Sequence, residues 1–218
     1  MRVIYFDTET SGLDCRDCKI IELAMLTVED GVIVDDYDEF VNIGPISPKI
    51  TKLTGITNDM LRKDGLKEEG VAVHIKERLT PGTLMVAHNT QFDLSFVFHL
   101  LSRHFPDDAF DIVRNVDWLD TMTVLKDRKT YPHKLIDGVN HYELKTVNFH
   151  RAIDDTKALY DLTLAMKDER DDLGDYINLF GFNPKYGVSG MRFPFIEYKA
   201  HYYQNFGLLP SDRTLPNK

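Results

Sequence analysis

Four acidic side chains stand where the hydrophobic pattern of their own segments calls for buried apolar residues. Residues 3–7 (VIYFD) predict a short strand, and side chains alternate between the two faces of a strand. Asp7 and Glu9 therefore share the face of Val3 and Tyr5, at the C-terminal end of a core strand. A chain with acids on its core faces needs a fold that brings opposite charge to them.

Two predicted helices carry an acid on the same kind of apolar face. A helix over residues 91–104 brings Asp93 into its apolar stripe, and a helix over residues 151–171 does the same for Asp155. Asp154 points away from that stripe, because successive residues on a helix are about 100° apart. The stripes are formed by Val97, Leu100 and Leu101 in the first helix and by Ala152, Leu159, Leu162 and Met166 in the second.

Any one of these acids alone is explained more simply as an exposed or capping carboxylate. Asp93 in particular fits the first turn of a helix, where the helix dipole favours an acid. Four inward acids together are costly to bury unless cations compensate them, and no Arg or Lys lies on the stripes. Two divalent metal ions supply that charge directly, and ligand sets made only of oxygen suit Mg²⁺ or Mn²⁺.

The rest of the pattern predicts an α/β domain with a mixed five-stranded sheet flanked by helices. Asp30-Gly31 is a strong hairpin signal, so the first three strands are expected to form an antiparallel meander. Gly174 is expected to end the last long helix. Strands are predicted over residues 3–7, 20–29, 32–41, 83–88 and 116–120, and further short helices over residues 51–63, 70–79, 121–128 and 142–148.

The composition narrows the class of protein. The 218-residue chain is 43% hydrophobic, with apolar runs too short for a transmembrane helix. The acid at Asp7 comes too early for the apolar region of a signal peptide, and two cysteines make no disulfide framework, so we expect a cytoplasmic protein.

The net charge of −9 argues against a generic basic nucleic-acid binder. Charge is uneven, however, since residues 182–218 carry +3 and the preceding residues −12.

Cys15 and Cys18 form a C-x-x-C pair that invites a zinc or redox interpretation. A zinc site needs four ligands, and the sequence offers neither a second cysteine pair nor a nearby histidine pair. A redox pair is expected to open a helix in a thioredoxin-like unit, whereas this pair follows the first strand in a loop. A functional role for the pair is therefore disfavoured.

Three motifs in order give the chain a specific resemblance. They are FDTETSGL at residues 6–13, HNTQFDLSF at residues 88–96 and HRAIDD at residues 150–155, with further similar segments at 50–57 and 120–122. Over about residues 1–170 the chain closely resembles the DEDDh 3′–5′ exonucleases, a family that includes the proofreading epsilon subunit of bacterial DNA polymerase III. The resemblance implies an RNase H-like fold. Ser11 replaces the usual threonine of the first motif and keeps its hydroxyl.

The resemblance also implies a role for each inward acid. It implies hydrolysis of phosphodiesters with two metal ions about 3.5–4 Å apart. Asp7 would bridge both ions, Glu9 and Asp155 would complete the ion on the nucleophile side, and Asp93 would support the ion on the leaving side. His150 would act as general base toward the attacking water, since an imidazole suits that task near neutral pH.

A second group of residues is implied to contact the substrate. In the family, the 3′-terminal nucleotide lies between the first motif and the segment at residues 50–57. Thr8 and Ser11 would meet the terminal sugar, Leu13 would wedge against the last base, and Phe92 and Phe96 are candidate contacts that helical spacing also explains as core. His88 and Asn89, in the second motif, would help to shape the substrate site.

These implications lead to an expected function with two alternatives. We expect a 3′–5′ exonuclease that uses Mg²⁺ or Mn²⁺ and releases nucleoside monophosphates from DNA 3′ ends in proofreading or repair. The first alternative is an RNA-directed exonuclease of the same family, such as RNase T or oligoribonuclease, because a sugar contact decides between DNA and RNA. The second is a non-catalytic adaptor that binds a polymerase, which predicts a lost metal ligand.

The C-terminal residues suggest a separate unit. Residues 1–175 are expected to form the exonuclease domain, and residues 176–218 a basic, aromatic extension packed on that domain. Interleaved aromatic and basic residues also suit stacking on unpaired bases. A third interpretation is a peptide that docks on a polymerase or sliding clamp, for which Gln204–Leu209 (QNFGLL) is a loose match.

Overall fold

The computed structural model describes residues 1–145 and 151–201. Its main sheet has six strands in the order β4-β3-β2-β1-β5-β6. Strands β1, β2 and β3 form the antiparallel meander, and β4, β5 and β6 join their neighbours in parallel. The strands are β1 (Arg2–Thr10), β2 (Ile20–Glu29), β3 (Val32–Asn42), β4 (Leu66–Lys67), β5 (Thr83–Ala87) and β6 (Asp117–Asp120).

Helices cover both faces of this sheet. They are α1 (Pro48–Thr54), α2 (Asn58–Asp64), α3 (Glu68–Arg78), α4 (Thr90–His104), α5 (Ala109–Arg114), α6 (Thr121–Arg128), α7 (Leu135–His141) and α8 (Ala152–Glu169), followed by a 3₁₀ turn at Leu173–Tyr176. In the described residues no helix is both long and apolar enough to cross a membrane.

The predicted α/β fold with a mixed sheet is confirmed, and the strand count differs by one. Strand β4 has only two residues, pairing Leu66 with Val41 at the sheet edge. A two-residue strand has no period, so the sequence gives no signal for it. The hairpin signal was accurate, since Asp30 and Gly31 both have positive φ, 49° and 83°, between β2 and β3.

The two faces of β1 feed two separate apolar cores. Ile4 and Phe6 pack with α3, α4 and α5. Val3 and Tyr5 pack on the opposite face with α6 and α8. This alternation is what directs residues 7 and 9 toward α8 and residue 8 toward α4.

Several predicted helix boundaries were wrong. A helix was predicted over residues 142–148, but the chain forms α7 before this range and α7 ends at His141. Residues 146–148 lie outside the described part. Short α5 was not predicted. The last long helix ends at Glu169, and Gly174 lies within the 3₁₀ turn that follows. Helix α1 begins at Pro48, three residues before the predicted start at residue 51, and Pro48 occupies the first turn after the Ser47 cap.

The described part of the C-terminal extension packs against the domain. It contains β7 (Leu179–Phe182) and β8 (Glu197–Ala200), which pair in parallel as a small second sheet. The Asn178 amide donates to the Trp118 carbonyl at 2.8 Å, which ties the start of the extension to β6. Phe193 is buried in the α4 core and contacts Phe98 edge-on, with ring centroids 5.5 Å apart.

Candidate metal centre and nucleic-acid site

Three of the inward acids meet at the C-terminal end of β1. Ligand oxygens of Asp7, Glu9 and Asp155 all lie within 4.8 Å of one another. Strand β1 supplies the first two from alternate positions, and the first turn of α8 supplies the third. Asp154 is next to Asp155 but interacts electrostatically with Arg151 instead. The helical phase predicted from the apolar stripe is therefore confirmed.

Asp93 approaches the same region from the other layer. It is buried in the first turn of α4, and its Oδ1 accepts a hydrogen bond from Thr8 Oγ1 at 2.7 Å. Thr8 faces α4 because it lies between Asp7 and Glu9 on the alternating strand. The hydroxyl predicted to meet a terminal sugar thus has a protein partner in this structure.

The sheet is open where these acids meet. Strand β1 pairs with β5 only as far as Tyr5, opposite Val86, although β1 continues to Thr10. Its pairing with β2 shifts register between Glu9 and Thr10. Acids from both helical layers can therefore reach one place at the carboxyl end of β1 and β5, where α/β sheets commonly bind ligands.

Burial and mutual repulsion make Asp7, Glu9 and Asp93 hard to ionise. Burial, followed by the charges of Asp93 and Asp155, holds the pKa of Asp7 well above its usual range. Burial and the nearby Glu22 raise the pKa of Glu9 to about 7. Burial also raises the pKa of Asp93 to about 7, against the opposing effect of the Thr8 hydrogen bond. Buried carboxylates that repel one another in this way favour the binding of cations.

The structure reveals a further buried acid beside the cluster that the sequence analysis missed. Glu22 lies on β2 directly opposite Glu9 and is fully buried. Arg151 neutralises it, with Nε 2.8 Å from Glu22 Oε1, and the Ala152 amide donates to Oε2 at 3.2 Å. The available signal was an acid inside the apolar run IIELAM, whose partner lies 129 residues away.

The position of Asp120 was also not predicted, although residues 120–122 are one of the segments similar to those of the family. Its carboxylate accepts hydrogen bonds from the amides of Asn89, Thr90 and Met122 at 2.8, 3.2 and 3.1 Å. These amides lie at the N-termini of α4 and α6. One side chain therefore holds the helix that carries Asp93 against β6.

The predicted substrate residues of the second motif have different environments. Both ring nitrogens of His88 form hydrogen bonds within the protein. Nδ1 lies 3.0 Å from Thr121 Oγ1, and Nε2 lies 2.8 Å from the His133 carbonyl oxygen. Burial lowers the pKa of His88. Asn89 is exposed with φ of 75° at the start of α4. Phe92 is half-buried on α4.

The loop after β1 holds the other predicted contacts. Leu13 is 85% exposed, an unusual position for a leucine. Ser11 Oγ accepts a hydrogen bond from the Lys19 amide at 2.9 Å, which closes the loop. Cys15 and Cys18 lie in this loop as free thiols. His150 and Gln204–Leu209 lie outside the described residues.

The donor set fits a hard divalent cation. Asp7, Glu9 and Asp155 present carboxylate oxygens close enough together for one ion, and burial and the neighbouring acids raise the pKa of Glu9, an effect that a bound cation would relieve. Asp93 is placed to extend the ligand set from α4, since its charge acts on Asp7. Oxygen-only ligands suit Mg²⁺ or Mn²⁺ better than softer metals.

Similar curated proteins include DNA polymerases of one type. The chain is 32% identical over 187 residues to "DNA polymerase III PolC-type" of Lacticaseibacillus paracasei, which covers 85% of this chain and 12% of that protein. It is 33% identical over 173 residues to the protein of the same name from Bacillus subtilis, covering 75% and 11%. The chain thus matches about one-eighth of the length of these relatives.

Solved structures share the fold. An Escherichia coli exonuclease I–single-stranded DNA complex superposes with a TM-score of 0.71 at 19% identity, covering 80% of this chain and 42% of that one. Exonuclease I from Methylocaldum szegediense gives a TM-score of 0.69 at 21% identity over 80% and 42% of the two chains. The predicted RNase H-like architecture agrees with these neighbours.

One family of sequences matches most of the chain. Its model, described as "Exonuclease" and named RNase_T, aligns with residues 4–163. This range contains Asp7, Glu9, Asp93 and Asp155. Because the match covers well over half of the 218 residues, the chain belongs to the RNase T exonuclease family.

Proposed function

We propose that this chain is a metal-dependent 3′–5′ exonuclease that removes nucleoside monophosphates from the 3′ ends of DNA. The observation that carries the proposal is the convergence of Asp7, Glu9 and Asp155 within 4.8 Å, with Asp93 reaching them from the opposite layer. A family membership alone would be consistent with a domain that has lost its activity. Four carboxylates at one strand end argue against the non-catalytic adaptor.

The carboxylates would hold two Mg²⁺ or Mn²⁺ ions, with Asp7 as the ligand common to both. Bound there, the ions would supply positive charge for the attacking and leaving oxygens of a phosphodiester. Glu9 and Asp155 would hold the ion on the side of the attacking oxygen. Asp93, whose side chain is fixed by Thr8, would hold the ion on the side of the leaving oxygen. His150 precedes α8 by two residues and would accept the proton of the attacking water.

DNA is the proposed substrate, with RNA as the alternative. Relatives are named DNA polymerase III, and exonuclease I has been solved with single-stranded DNA. These names support a DNA substrate and an association with a polymerase, including proofreading or repair. The acidic net charge is no obstacle, because phosphates need cations only at the site itself.

We also propose the division into a domain at residues 1–175 and an extension at residues 176–218. The described part of the extension adds its own two-stranded sheet beside α4, which supports the division. Docking of the extension on a polymerase or sliding clamp stays open, since Gln204–Leu209 lies outside the described residues.

A direct assay tests this function. The full chain is incubated with Mg²⁺ or Mn²⁺ and matched single-stranded DNA and RNA oligomers labelled at the 5′ end. We expect a ladder shortened one nucleotide at a time from the 3′ end, faster on DNA, and loss of activity in EDTA. Asp7→Asn is the inactive control and Asp64→Asn, at an exposed site, the matched active control. Internal cuts would contradict an exonuclease, and faster digestion of RNA would favour the alternative.

A further inference from the structure

An apolar groove lies toward the N-terminal end of β1, whereas the carboxylates lie at its C-terminal end. The groove has a volume of about 420 Å³ and runs between the sheet, the second half of α8 and the 3₁₀ turn that follows. Val3, Leu84 and Leu119 line it from the sheet, and Leu164 and Leu173 line it from the other side. Sites that bind apolar groups are commonly of this size, about 300–1,000 Å³, and of this lining.

The groove leaves large apolar side chains in contact with solvent. Leu164 of α8 is 42% exposed, and Met1, which also lines the groove, is 76% exposed. Leu159 and Leu162 of the same helix are buried in the core beneath. Exposed apolar side chains gathered around a groove indicate a surface that binds another segment of protein.

Two tyrosines give this apolar lining a polar component. Tyr5 of β1 and Tyr160 of α8 meet edge-on in the groove, with ring centroids 5.1 Å apart. Burial and the neighbouring Tyr160 raise the pKa of Tyr5, so its hydroxyl keeps its proton and can donate a hydrogen bond. A peptide segment suits such a lining, because its side chains can be apolar while its backbone carbonyls accept hydrogen bonds.

Gln91 fixes the described part of the C-terminal extension on the domain. It is buried on α4, and its Nε2 donates to the carbonyl oxygens of Ser189 and Met191, both at 2.8 Å. Its Oε1 accepts a hydrogen bond from the Tyr198 hydroxyl at 2.7 Å. A buried amide with these bonds specifies one arrangement of the extension as far as β8.

The last described residue, His201, lies close to one wall of the groove. It is buried, and its Nε2 is 3.9 Å from Asp127 Oδ1. Asp127 Oδ2 accepts a hydrogen bond from the Tyr176 hydroxyl at 2.7 Å. Tyr176 ends the 3₁₀ turn, and the next residue, Ile177, lines the groove. One carboxylate and one tyrosine therefore connect the end of the described chain to the groove wall.

The residues that follow His201 have the composition and the reach to enter the groove. Five of the eight residues from Tyr202 to Leu209 are leucine or aromatic. An extended chain spans about 3.3–3.6 Å per residue, so Leu209 can lie up to about 28 Å from His201. This stretch therefore brings several apolar side chains within reach of a groove that begins beside His201.

Charges in the groove and in the following residues are complementary. Lys167 and Asp171 are exposed and line the groove. Asp212 and Arg213 come three and four residues after Leu209. A segment whose leucines enter the groove can thus place an acid and a base near groups of opposite charge.

We propose that this groove binds the C-terminal residues of its own chain, with Phe206, Leu208 and Leu209 as the apolar contacts. Bound there, Gln204–Leu209 is unavailable to a polymerase or sliding clamp. The segment also covers the exposed apolar side chains of α8, the helix whose first turn carries Asp155. This binding is independent of the nuclease reaction.

A photo-crosslinker at position 206 of the full chain tests the proposal. Phe206→4-benzoylphenylalanine is irradiated in dilute solution, and mass spectrometry locates the adducts. We expect cross-links within one chain to groove residues such as Leu164 and Leu173. The matched control carries the same probe in place of Tyr186, an exposed aromatic residue of the extension that does not line the groove, and it should not label the groove.

Melting temperatures of full-length variants give a second readout. Leu164→Ala and Phe206→Ala should each lower the melting temperature by about 2–4 °C, since each removes one side of the same contact. The double variant should lose no more than the larger single change. Leu53→Ala, at an exposed leucine of α1 outside the groove, is the control and should change the melting temperature little.

Three results would overturn the proposal. Cross-links from position 206 to another surface of the domain, or none at all, would mean that these residues do not bind in the groove. Cross-links to the groove that join two chains would assign it to a second copy instead. Additive losses in the double variant would show that Leu164 and Phe206 act separately.

Discussion

Arg151 and Glu22 form an ion pair that joins the residue before α8 to the buried centre of the sheet. Arg151 Nη2 and Nε are each 2.8 Å from Glu22 Oε1, and the Glu22 side chain is fully buried. Arg151 also lies 3.6 Å from Asp38 on β3 and over the Phe40 ring. Because α8 begins at Ala152 and carries Asp155 in its first turn, this pair fixes the acid of the helix against the acids of the strand.

Breaking this pair should cost both stability and activity. Arg151→Ala leaves the Glu22 charge buried without its partner, and we expect a loss of about 2 kcal/mol, less than for a fully buried pair because Arg151 is partly exposed. Urea unfolding measures the loss. Adding Glu22→Gln to Arg151→Ala should restore part of it, since no stranded charge remains. Arg114→Ala is the control, and additivity of the two changes would contradict a coupled pair.

The stability of metal-free protein should fall as pH rises. Glu9 and Asp93 have pKa values of about 7 in the folded chain, above the ordinary values of 4.5 and 3.8. Between about pH 4 and 7 the folded chain therefore binds more protons at these two groups than the unfolded chain does, so their contribution to stability is fully present below about pH 4 and is lost as pH rises through 7. In EDTA we expect a melting temperature several degrees lower at pH 8 than at pH 5, and recovery at pH 8 on adding Mn²⁺.

Asp7→Asn should reverse this behaviour. Removing the central charge relieves the repulsion, so the metal-free variant should melt above wild type at pH 8 while gaining little from Mn²⁺. Asp64→Asn, at an exposed position, should follow wild type under every condition. A wild-type response in the Asp7 variant would remove this residue from the metal site.

Neighbouring acids on α8 should differ sharply. Asp155→Asn should lower turnover on the order of 10³-fold, because it removes a proposed metal ligand of the kind that is worth several kcal/mol. Asp154→Asn should keep most activity, since Asp154 interacts with Arg151 rather than with the carboxylate cluster. Nuclease rates on one labelled oligomer, with Mn²⁺ titrations beside them, make the comparison. A greater loss in the Asp154 variant would contradict the assignment.

His150→Ala tests the proposed general base. A positioned base typically contributes about 10²–10⁴-fold, so turnover should fall by that order while DNA binding in Ca²⁺ changes little. The wild-type rate should rise through the neutral range, because an imidazole accepts a proton only when it is uncharged. In the variant this rise should flatten or move to higher pH. A lower melting temperature with an unchanged pH–rate curve would mean that His150 only supports the start of α8.

The sequence predicted most of the fold because its strongest signals are local. Asp30-Gly31 sets the β2–β3 hairpin. Apolar periodicity predicts both ends of α4 and both ends of α8 to within two residues. Helix α7 was missed because Gly138 weakens its propensity, although that glycine is needed where a Cβ would lie 2.9 Å from Leu162. Strands β7 and β8 pair in parallel across 18 residues, a contact that no local pattern specifies.

The acids of the site were identified for a related reason. A carboxylate on an apolar stripe is visible within its own segment, whereas its neutralising partner often is not. Glu22 also stands in an apolar strand, but every side chain of β2 before Glu29 is buried, so alternation gives no contrast there. Gln91 is equally hidden, because its partners come from a segment about 100 residues later.

The alternation along β1 makes the site intolerant of any change in chain length within this strand. Asp7 and Glu9 face α8 and Thr8 faces α4, while pairing with β5 holds the strand as far as Tyr5. Deleting one residue between Tyr5 and Asp7 would exchange the two faces, turning both acids toward the α4 core and the threonine toward α8. Homologues that keep this chemistry should therefore vary freely in the loops but show no insertion or deletion within this short stretch.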